Sequence, residues 1–321
     1  MHKVVLLGPQ RFVVTVTEEL KMLGLSGRVA TITAGWQERE AEDDELSAAL
    51  GNRGINLRLH QRTDDVFAQD HQLFAAHRRR QDTLRQLQDM YRVRLDRLME
   101  ATALLLARQG PKELVEPERE DAIRQLRALD DHHLQRIRAT HARFEQEEMP
   151  GERRALGQHR AEVAGILEEC DAVAIAGGHV STLLGRMRLL DVAASLTDKP
   201  ILAWSAGAMA LTDRVVAFHD RPPEGPGNAE ILDAGLGMAP GIVALPHATQ
   251  RLNLDDDLRM SLFSRRFFPA HCICLDSGSR ARLDGNFWTF GDGTSRLQVD
   301  GHVKPIGTPL RVLTTFAKEI A

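Results

Sequence analysis

Pro200-Ile-Leu-Ala-Trp-Ser205-Ala-Gly207-Ala-Met-Ala210-Leu211 is the stretch on which the reading of this chain turns. An apolar, strand-like run stops at a serine flanked by small residues, and a good helix-forming run follows. Such a strand–serine–helix elbow lifts the hydroxyl clear of the backbone and aims the free N–H groups of the helix start at the reacting centre. Ala203, Ala206 and Gly207 supply the small side chains that a sharp turn requires. The alternative is an ordinary strand-to-helix turn with an incidental serine.

Two further segments bear on that choice. In Asp171-Ala-Val-Ala-Ile-Ala-Gly177-Gly178-His179-Val-Ser-Thr-Leu-Leu184, a buried strand runs into a Gly-Gly turn and then a helix. Glycines there let a backbone N–H face a ligand unobstructed, as an oxyanion hole requires, although many Gly-Gly pairs are only turns. In Pro240-Gly241-Ile-Val-Ala-Leu245-Pro246-His247-Ala-Thr-Gln-Arg251-Leu, a histidine stands just past an apolar run, where a strand-end base would sit.

In order, the three segments resemble the serine peptidase family that contains dipeptidase E (aspartyl dipeptidase) and cyanophycinase, whose fold is that of the class I glutamine amidotransferases. Ala176-Gly177-Gly178-His179 is similar to the family's Gly-Gly-Gly-Asn or Gly-Gly-Asp-Gln turn. Trp204-Ser205-Ala206-Gly207-Ala208 matches its Trp-Ser-Ala-Gly-Ala elbow, and His247-Ala-Thr-Gln250-Arg251 resembles the His-Phe-Ser-Gln-Arg run of cyanophycinases. The resemblance covers about residues 1–60 and 156–300. It implies a serine-type hydrolase acting on an amide bond of a small peptide, with Ser205 as nucleophile and His247 as general base. It also implies an oxyanion hole from the N–H groups of Gly178 and Ala206. Family members carry an aspartate about fifteen residues after the serine, and Asp220 stands at that spacing, with Asp213 and Glu224 as competitors. Gly177, His179 and Arg251 are the substrate-binding candidates. Arg251 could grip a substrate carboxylate bidentately or pair structurally with Asp255 or Asp256.

The chain also departs from the family. His179 replaces an Asn, Asp or Gln, and Ala176 replaces a glycine. The Gly-Ile-Asp-Glu-like strand of cyanophycinases reads here as Cys272-Ile-Cys-Leu-Asp276-Ser277-Gly, with one acid kept and the second missing. These changes touch substrate recognition more than the triad, and the linkage the resemblance implies is aspartyl, isoaspartyl or cyanophycin-like. No metal or organic cofactor is required by the chemistry.

Around these segments, residues 1–60 and those beyond 160 alternate strand and helix signals, the rhythm of a parallel sheet with helices on both faces. The expected fold is a three-layer αβα sandwich on a mostly parallel sheet, from residues 1–63 and 152–321. The tail from Cys272 to Val303 carries Asp-Gly turns at Asp284-Gly285, Asp292-Gly293 and Asp300-Gly301, predicting hairpins and an antiparallel extension. Trp36, at a strand end, would line a substrate cleft or cover the sheet edge.

Residues 64–151 interrupt the rhythm. No glycine or proline occurs from Asp65 to Arg108, and Leu84, Leu87, Tyr91, Leu98 and Leu105 recur near heptad spacing. Gly110-Pro111 breaks the run and Pro117 restarts it, which predicts two long antiparallel helices, coiled-coil-like, the first reaching roughly 60 Å. Acids balance bases along it, so Arg78-Arg79-Arg80 reads as a solvated face. His132, His133 and His141 lack companion ligands for a metal. The arm is a candidate for homodimerisation, for partner docking or for leaning over the active site.

With 321 residues, 43% hydrophobic content and a net charge of −4, the chain can build a large core and offers no electrostatic case for nucleic acid. No apolar run spans a bilayer and the N-terminus does not read as a signal peptide. Cys170, Cys272 and Cys274 read as reduced thiols, so a cytoplasmic location is expected. An amidotransferase would need a cysteine where Ser205 stands, and an α/β-hydrolase esterase would place its histidine nearer the C-terminus. The rival from another class is a non-catalytic scaffold whose arm carries the function.

Overall fold

The computed structural model describes residues 3–196, 198–221 and 227–312. Strands β1 (Lys3–Leu7), β2 (Val29–Ile32) and β3 (Gly54–Asn56) alternate with helices α1 (Val16–Met22) and α2 (Asp44–Ala49). Helices α3 (Leu59–Gln69), α4 (His71–Ala107), α5 (Lys112–Glu148) and α6 (Arg154–Glu168) follow in succession. Alternation resumes with β4 (Ala172–Ile175), α7 (Val180–Leu189), α8 (Val192–Ser195), β5 (Ile201–Trp204) and α9 (Ala206–Leu211). Then come β6 (Arg214–Ala217), β7 (Glu230–Ala234), β8 (Ile242–Pro246), α10 (Ala248–Arg251), α11 (Asp257–Phe267) and β9 (His271–Leu275). The last strands are β10 (Arg280–Asp284), β11 (Phe287–Phe290), β12 (Ser295–Leu297), β13 (Val303–Pro305) and β14 (Leu310–Arg311).

Among the described residues the strands form three sheets. The largest has the order β14-β11-β10-β1-β5-β4-β2-β3. Its five strands from β1 to β3 are parallel, and β10, β11 and β14 extend it antiparallel beyond β1. Four of the parallel strands, β1, β2, β4 and β5, are four or five mostly apolar residues long and buried on both faces, as a sheet covered on both sides demands; the edge strand β3 is three half-buried residues. Alternate residues feed two layers: Val5, Leu7, Val29, Ala172, Ala174 and Leu202 pack with Val16, Leu20, Leu46 and Leu50 of α1 and α2. Val4, Leu6, Ala30, Ile32, Val173, Ile175 and Ile201 face Val66, Val163, Leu183 and Leu184 on the other side. The αβα sandwich and its antiparallel extension are therefore present.

The second sheet, β13-β12-β9-β8, carries the parallel pair β8–β9, and β6 pairs with β7 separately. Of the three Asp-Gly turns, those at Asp284-Gly285 and Asp300-Gly301 close hairpins, β10–β11 and β12–β13. Asp292-Gly293 does not. It carries the chain from the large sheet into the second one, since β11 pairs with β10 and β14 while β12 pairs with β9 and β13.

The long helices α4 and α5, each of 37 residues, form the antiparallel hairpin. Three details differ from the sequence expectation. The first helix begins at Leu59, so residue 64 lies inside α3, which packs on α6 and α7. It also breaks at Asp70, whose side chain accepts from the Leu73 N–H at 2.8 Å and so caps a new helix. Finally, α5 starts at Lys112, with Pro117 inside its second turn, where the missing N–H costs one intrahelical bond.

The hairpin is docked on the body, with α4 and α5 packed against α11 and α5 also against β7. Tyr91, Leu95, Met99, Ile123, Leu126, Leu129, Leu134 and Ile137 share one apolar core with Val243, Phe263, Phe267 and Cys272. Within it lies an ion pair. Arg266 Nε donates to Asp130 Oδ2 at 2.7 Å and Nη2 to Asp130 Oδ1 at 2.7 Å, both side chains being 1% exposed. Arg266 also donates to Tyr91 Oη at 2.6 Å and to the Ala229 carbonyl at 2.7 Å, while Tyr91 donates to Asp130 Oδ1 at 2.8 Å. One guanidinium thus ties α4, α5 and the segment before β7 to α11. His133 stacks on Tyr91 at 4.0 Å and bonds to Gln88, and His141 bonds to Asp233 at 2.9 Å, so both histidines serve the docking. Among the described residues no cluster suited to a metal ion is present, and no helix is long and apolar enough to cross a membrane. Cys170, Cys272 and Cys274 are buried free thiols, and burial pushes the Cys274 thiol up to about 12.

Candidate active site

The C-terminal ends of four adjacent parallel strands converge, where open α/β sheets place their ligands. β1 delivers Pro9, Gln10 and Arg11; β5 delivers Ser205 and Ala206; β4 delivers Gly177 and Gly178; β2 delivers Gly35 and Trp36. All of these line one cleft of 1240 Å³, together with His247 and Arg251 from the end of β8 and from α10.

Ser205 has φ 51° and ψ −123°, a region that non-glycine residues seldom occupy. The conformation turns the chain from β5 straight into α9 and is what a nucleophile elbow requires. Gly177 lies directly against it: a Cβ there would stand 2.8 Å from Ser205 Cβ. Gly178 adopts φ 106°, open only to glycine. Among the described residues the N–H groups of Gly178 and Ala206 donate to no protein acceptor. Two unspent N–H donors therefore flank the serine in the cleft wall.

His247 sits at φ 57° and ψ 39°, capping α10, and its N–H donates to the Leu275 carbonyl at 3.2 Å across the β8–β9 pair. Burial lowers its pKa, as does the Arg251 charge, while the Asp276 charge and a hydrogen bond from the ring to the Gln250 side chain oppose the shift. Burial thus favours the neutral form, the one that a general base uses. Ser205 and His247 share the cleft, and among the described residues no hydrogen bond joins them. Catalytic contacts of this kind commonly tighten only when substrate binds.

The structure does not bring Asp220 to His247. Asp220 Oδ1 accepts from Arg259 Nη2 at 2.6 Å and Oδ2 from the Asn253 N–H at 2.9 Å, while its own N–H donates to the Arg251 carbonyl at 2.7 Å. It clasps the segment that follows His247 and does not orient the ring. Asp213 accepts from the Gly241 N–H at 3.0 Å, and Glu224 lies outside the described residues. The carboxylate whose charge acts on His247 is Asp276, one residue past the Leu275 carbonyl that receives the His247 N–H. Its Oδ1 accepts from the N–H and hydroxyl of Thr249, at 3.1 and 2.9 Å, which leaves Oδ2 without a hydrogen bond among the described residues. The signal in the sequence was the acid kept in the Cys272–Gly278 stretch.

Arg251 lines the cleft half-buried and, among the described residues, forms no ion pair. Asp256, its candidate partner, instead caps α11 by accepting from the Arg259 N–H at 3.0 Å. His179 caps α7, its Nδ1 accepting from the Thr182 N–H at 3.2 Å, and it is not among the cleft-lining residues. Trp36 lines the cleft, as one of its two expectations had it, and packs on the α1–α2 face of the sheet. Gln10 was not singled out from sequence. Its side chain bonds to the Gly8 carbonyl, to the Thr15 hydroxyl and to the N–H groups of Thr15 and Val16, pinning the loop that forms one cleft wall.

No family model and no curated protein matches the chain. Among solved structures it is similar to a peptidase from an acI-B1 actinobacterium, over 97% of either chain, with a TM-score of 0.48 and 11% identity. It is also similar to a candidate Peptidase E protein from Listeria monocytogenes EGD-e, over 41% of this chain and 64% of that one. There the TM-score is 0.30 and the identity 14%.

Proposed function

We propose that the protein is a serine-type hydrolase cleaving an amide bond in a small peptide. One observation carries the reading: a strained Ser205 elbow lies beside two N–H groups that have no acceptor among the described residues, in a cleft that His247 also lines. Ser205 Oγ attacks the carbonyl carbon as its proton passes to His247, and the N–H groups of Gly178 and Ala206 receive the oxyanion. The C–N bond then breaks, His247 returns the proton to the leaving amine, and water, activated by the same base, releases the acyl group. Asp276 faces the base and stabilises its cationic form, while Asp220 holds the Arg251–Asn253 segment in place. Arg251, which forms no ion pair among the described residues, receives a carboxylate of the substrate, which favours aspartyl or isoaspartyl linkages. The chemistry calls on no metal or organic cofactor.

The test is amine release from α-Asp, β-Asp and γ-Glu dipeptides and from β-Asp-Arg. Turnover of at least one, absent in Ser205→Ala, supports the reading; turnover equal in the two proteins overturns it.

The charges around His247 give a prediction with a definite sign. The acidic limb of kcat/KM reports the free base, so its midpoint falls below the ordinary histidine value. Arg251→Gln removes a repelling cation and moves the midpoint up; Asp276→Asn removes an attracting anion and moves it down. Asp220→Asn leaves the midpoint in place and lowers thermal stability. The rate of Ser205 phosphonylation by a fluorophosphonate, followed across pH, reads all three without a known substrate.

A further inference from the structure

We propose that Gln37 is a positioning residue that fixes the oxyanion turn through Thr182 and His179, an inference that rests on Gly178 being an oxyanion donor. Gln37 has φ 60° and ψ −125°, nearly the conformation of Ser205. Arg58, Met149, Asp191 and His247 also have positive φ, but with ψ between 38° and 56° they lie in the ordinary left-handed region. Gln37 and Ser205 occupy a far less accessible one, which persists only where the surroundings over-determine it.

What surrounds Gln37 is the oxyanion turn. Its Nε2 donates to Thr182 Oγ1 at 3.2 Å, and Thr182 Oγ1 lies 2.9 Å from His179 Nδ1. Because the Gln37 amide donates to the hydroxyl oxygen, the hydroxyl proton is free to go to Nδ1, which also receives the Thr182 N–H. The donors run one way, from Gln37 to Thr182 to His179. The backbone supplies a second clasp two residues upstream, where the His179 N–H donates to the Gly35 carbonyl at 2.7 Å. The two turns are in backbone contact: a Cβ on Gly178 would lie 2.3 Å from the Gly35 oxygen, and one on Gly35 would lie 2.4 Å from the Gly177 oxygen. Gly177 in turn abuts Ser205. The strained bend at Gln37 thus brings its amide back onto the segment whose N–H faces the nucleophile.

The experiment follows phosphonylation of Ser205 by a fluorophosphonate, whose P–F bond breaks as the Ser205 O–P bond forms, with thermal midpoints measured alongside. Gln37→Leu and Thr182→Val each slow the limiting labelling rate about tenfold, with half-saturation and thermal midpoint little changed, since a misplaced oxyanion donor acts on the transition state. The double variant is no slower than either single one, as expected for a shared chain. Gln37→Glu, which cannot donate to a hydroxyl already committed to Nδ1, behaves like Gln37→Leu, and Thr182→Ser restores the rate. Labelling at the wild-type rate in Gln37→Leu and Thr182→Val overturns the positioning role while the hydrolase reading stands. A slowed rate explained by a lower folded fraction overturns it as well. If wild type labels no faster than Ser205→Ala, the hydrolase reading fails and takes this inference with it.

Discussion

Ser205→Ala abolishes turnover, by about four orders of magnitude or more, and leaves the fold intact. The substitution removes one oxygen from a half-buried position on the cleft wall and leaves the N–H groups of Gly178 and Ala206 where they are. Its electronic consequence is large, because among the described residues lining the cleft there is no other serine, threonine or cysteine. Its structural consequence is small, since alanine has the same Cβ to seat against Gly177. Alanine pays the same backbone penalty at φ 51°, so the thermal midpoint stays close to wild type. Comparing amine release and the melting curve for the two proteins checks both halves. A substantial residual rate in Ser205→Ala would reassign the nucleophile, and a collapsed midpoint would assign Ser205 a structural role.

The second large effect lies in the hairpin. Asp130→Ala strands the Arg266 guanidinium, 1% exposed, with its principal counter-charge gone. Removing one partner of such a pair costs about 3–5 kcal/mol, because the cost is that of a buried, uncompensated charge. Tyr91 Oη and the Ala229 carbonyl remain as partners for Arg266, but neither carries the opposing charge. Replacing both members, with Asp130→Leu and Arg266→Met, recovers most of the loss, because the double variant buries no charge. Urea denaturation of the two variants separates a charge-burial effect from simple loss of packing. If the double variant is no more stable than Asp130→Ala, packing and not charge dominates this junction.

Much of this molecule could be read from its sequence, for identifiable reasons. Short apolar runs ending in glycine or a small residue mark parallel strands whether or not their neighbours are known, so β1, β2, β4 and β5 were legible. The elbow was legible because Ala206 and Gly207 leave few other uses for such a turn. What escaped depends on distance through space. Asp220 has the right separation from Ser205 along the chain, yet Arg259, 39 residues further on, claims its carboxylate. Asp276 stood in plain view as a retained acid, but only the parallel pairing of β8 with β9 sets it beside His247. Asp70 interrupts a helix that periodicity alone continues, because its cap to Leu73 competes with propagation. Asp292-Gly293 has the composition of a hairpin turn, but turn chemistry does not say which sheet receives the next strand. Gln37 carries no sequence signal at all, since glutamine is not a residue that propensity places at φ 60°.

The proposed nucleophile and base belong to different sheets: Ser205 follows a strand of the large one, His247 a strand of the smaller one. Among the described residues no continuous strand ladder joins the two. Their separation is set by α9 packing on β8, by hydrogen bonds from the Leu236 and Ala239 N–H groups to the Ala210 and Leu211 carbonyls, both 2.8 Å, and by the turn through Asp276 that joins β9 to β10. A junction of this kind, with few hydrogen bonds, opens before sheet ladders break. On slow heating, catalysis therefore fades several degrees ahead of the far-ultraviolet circular dichroism, and it returns on cooling as long as the sheets themselves have not melted.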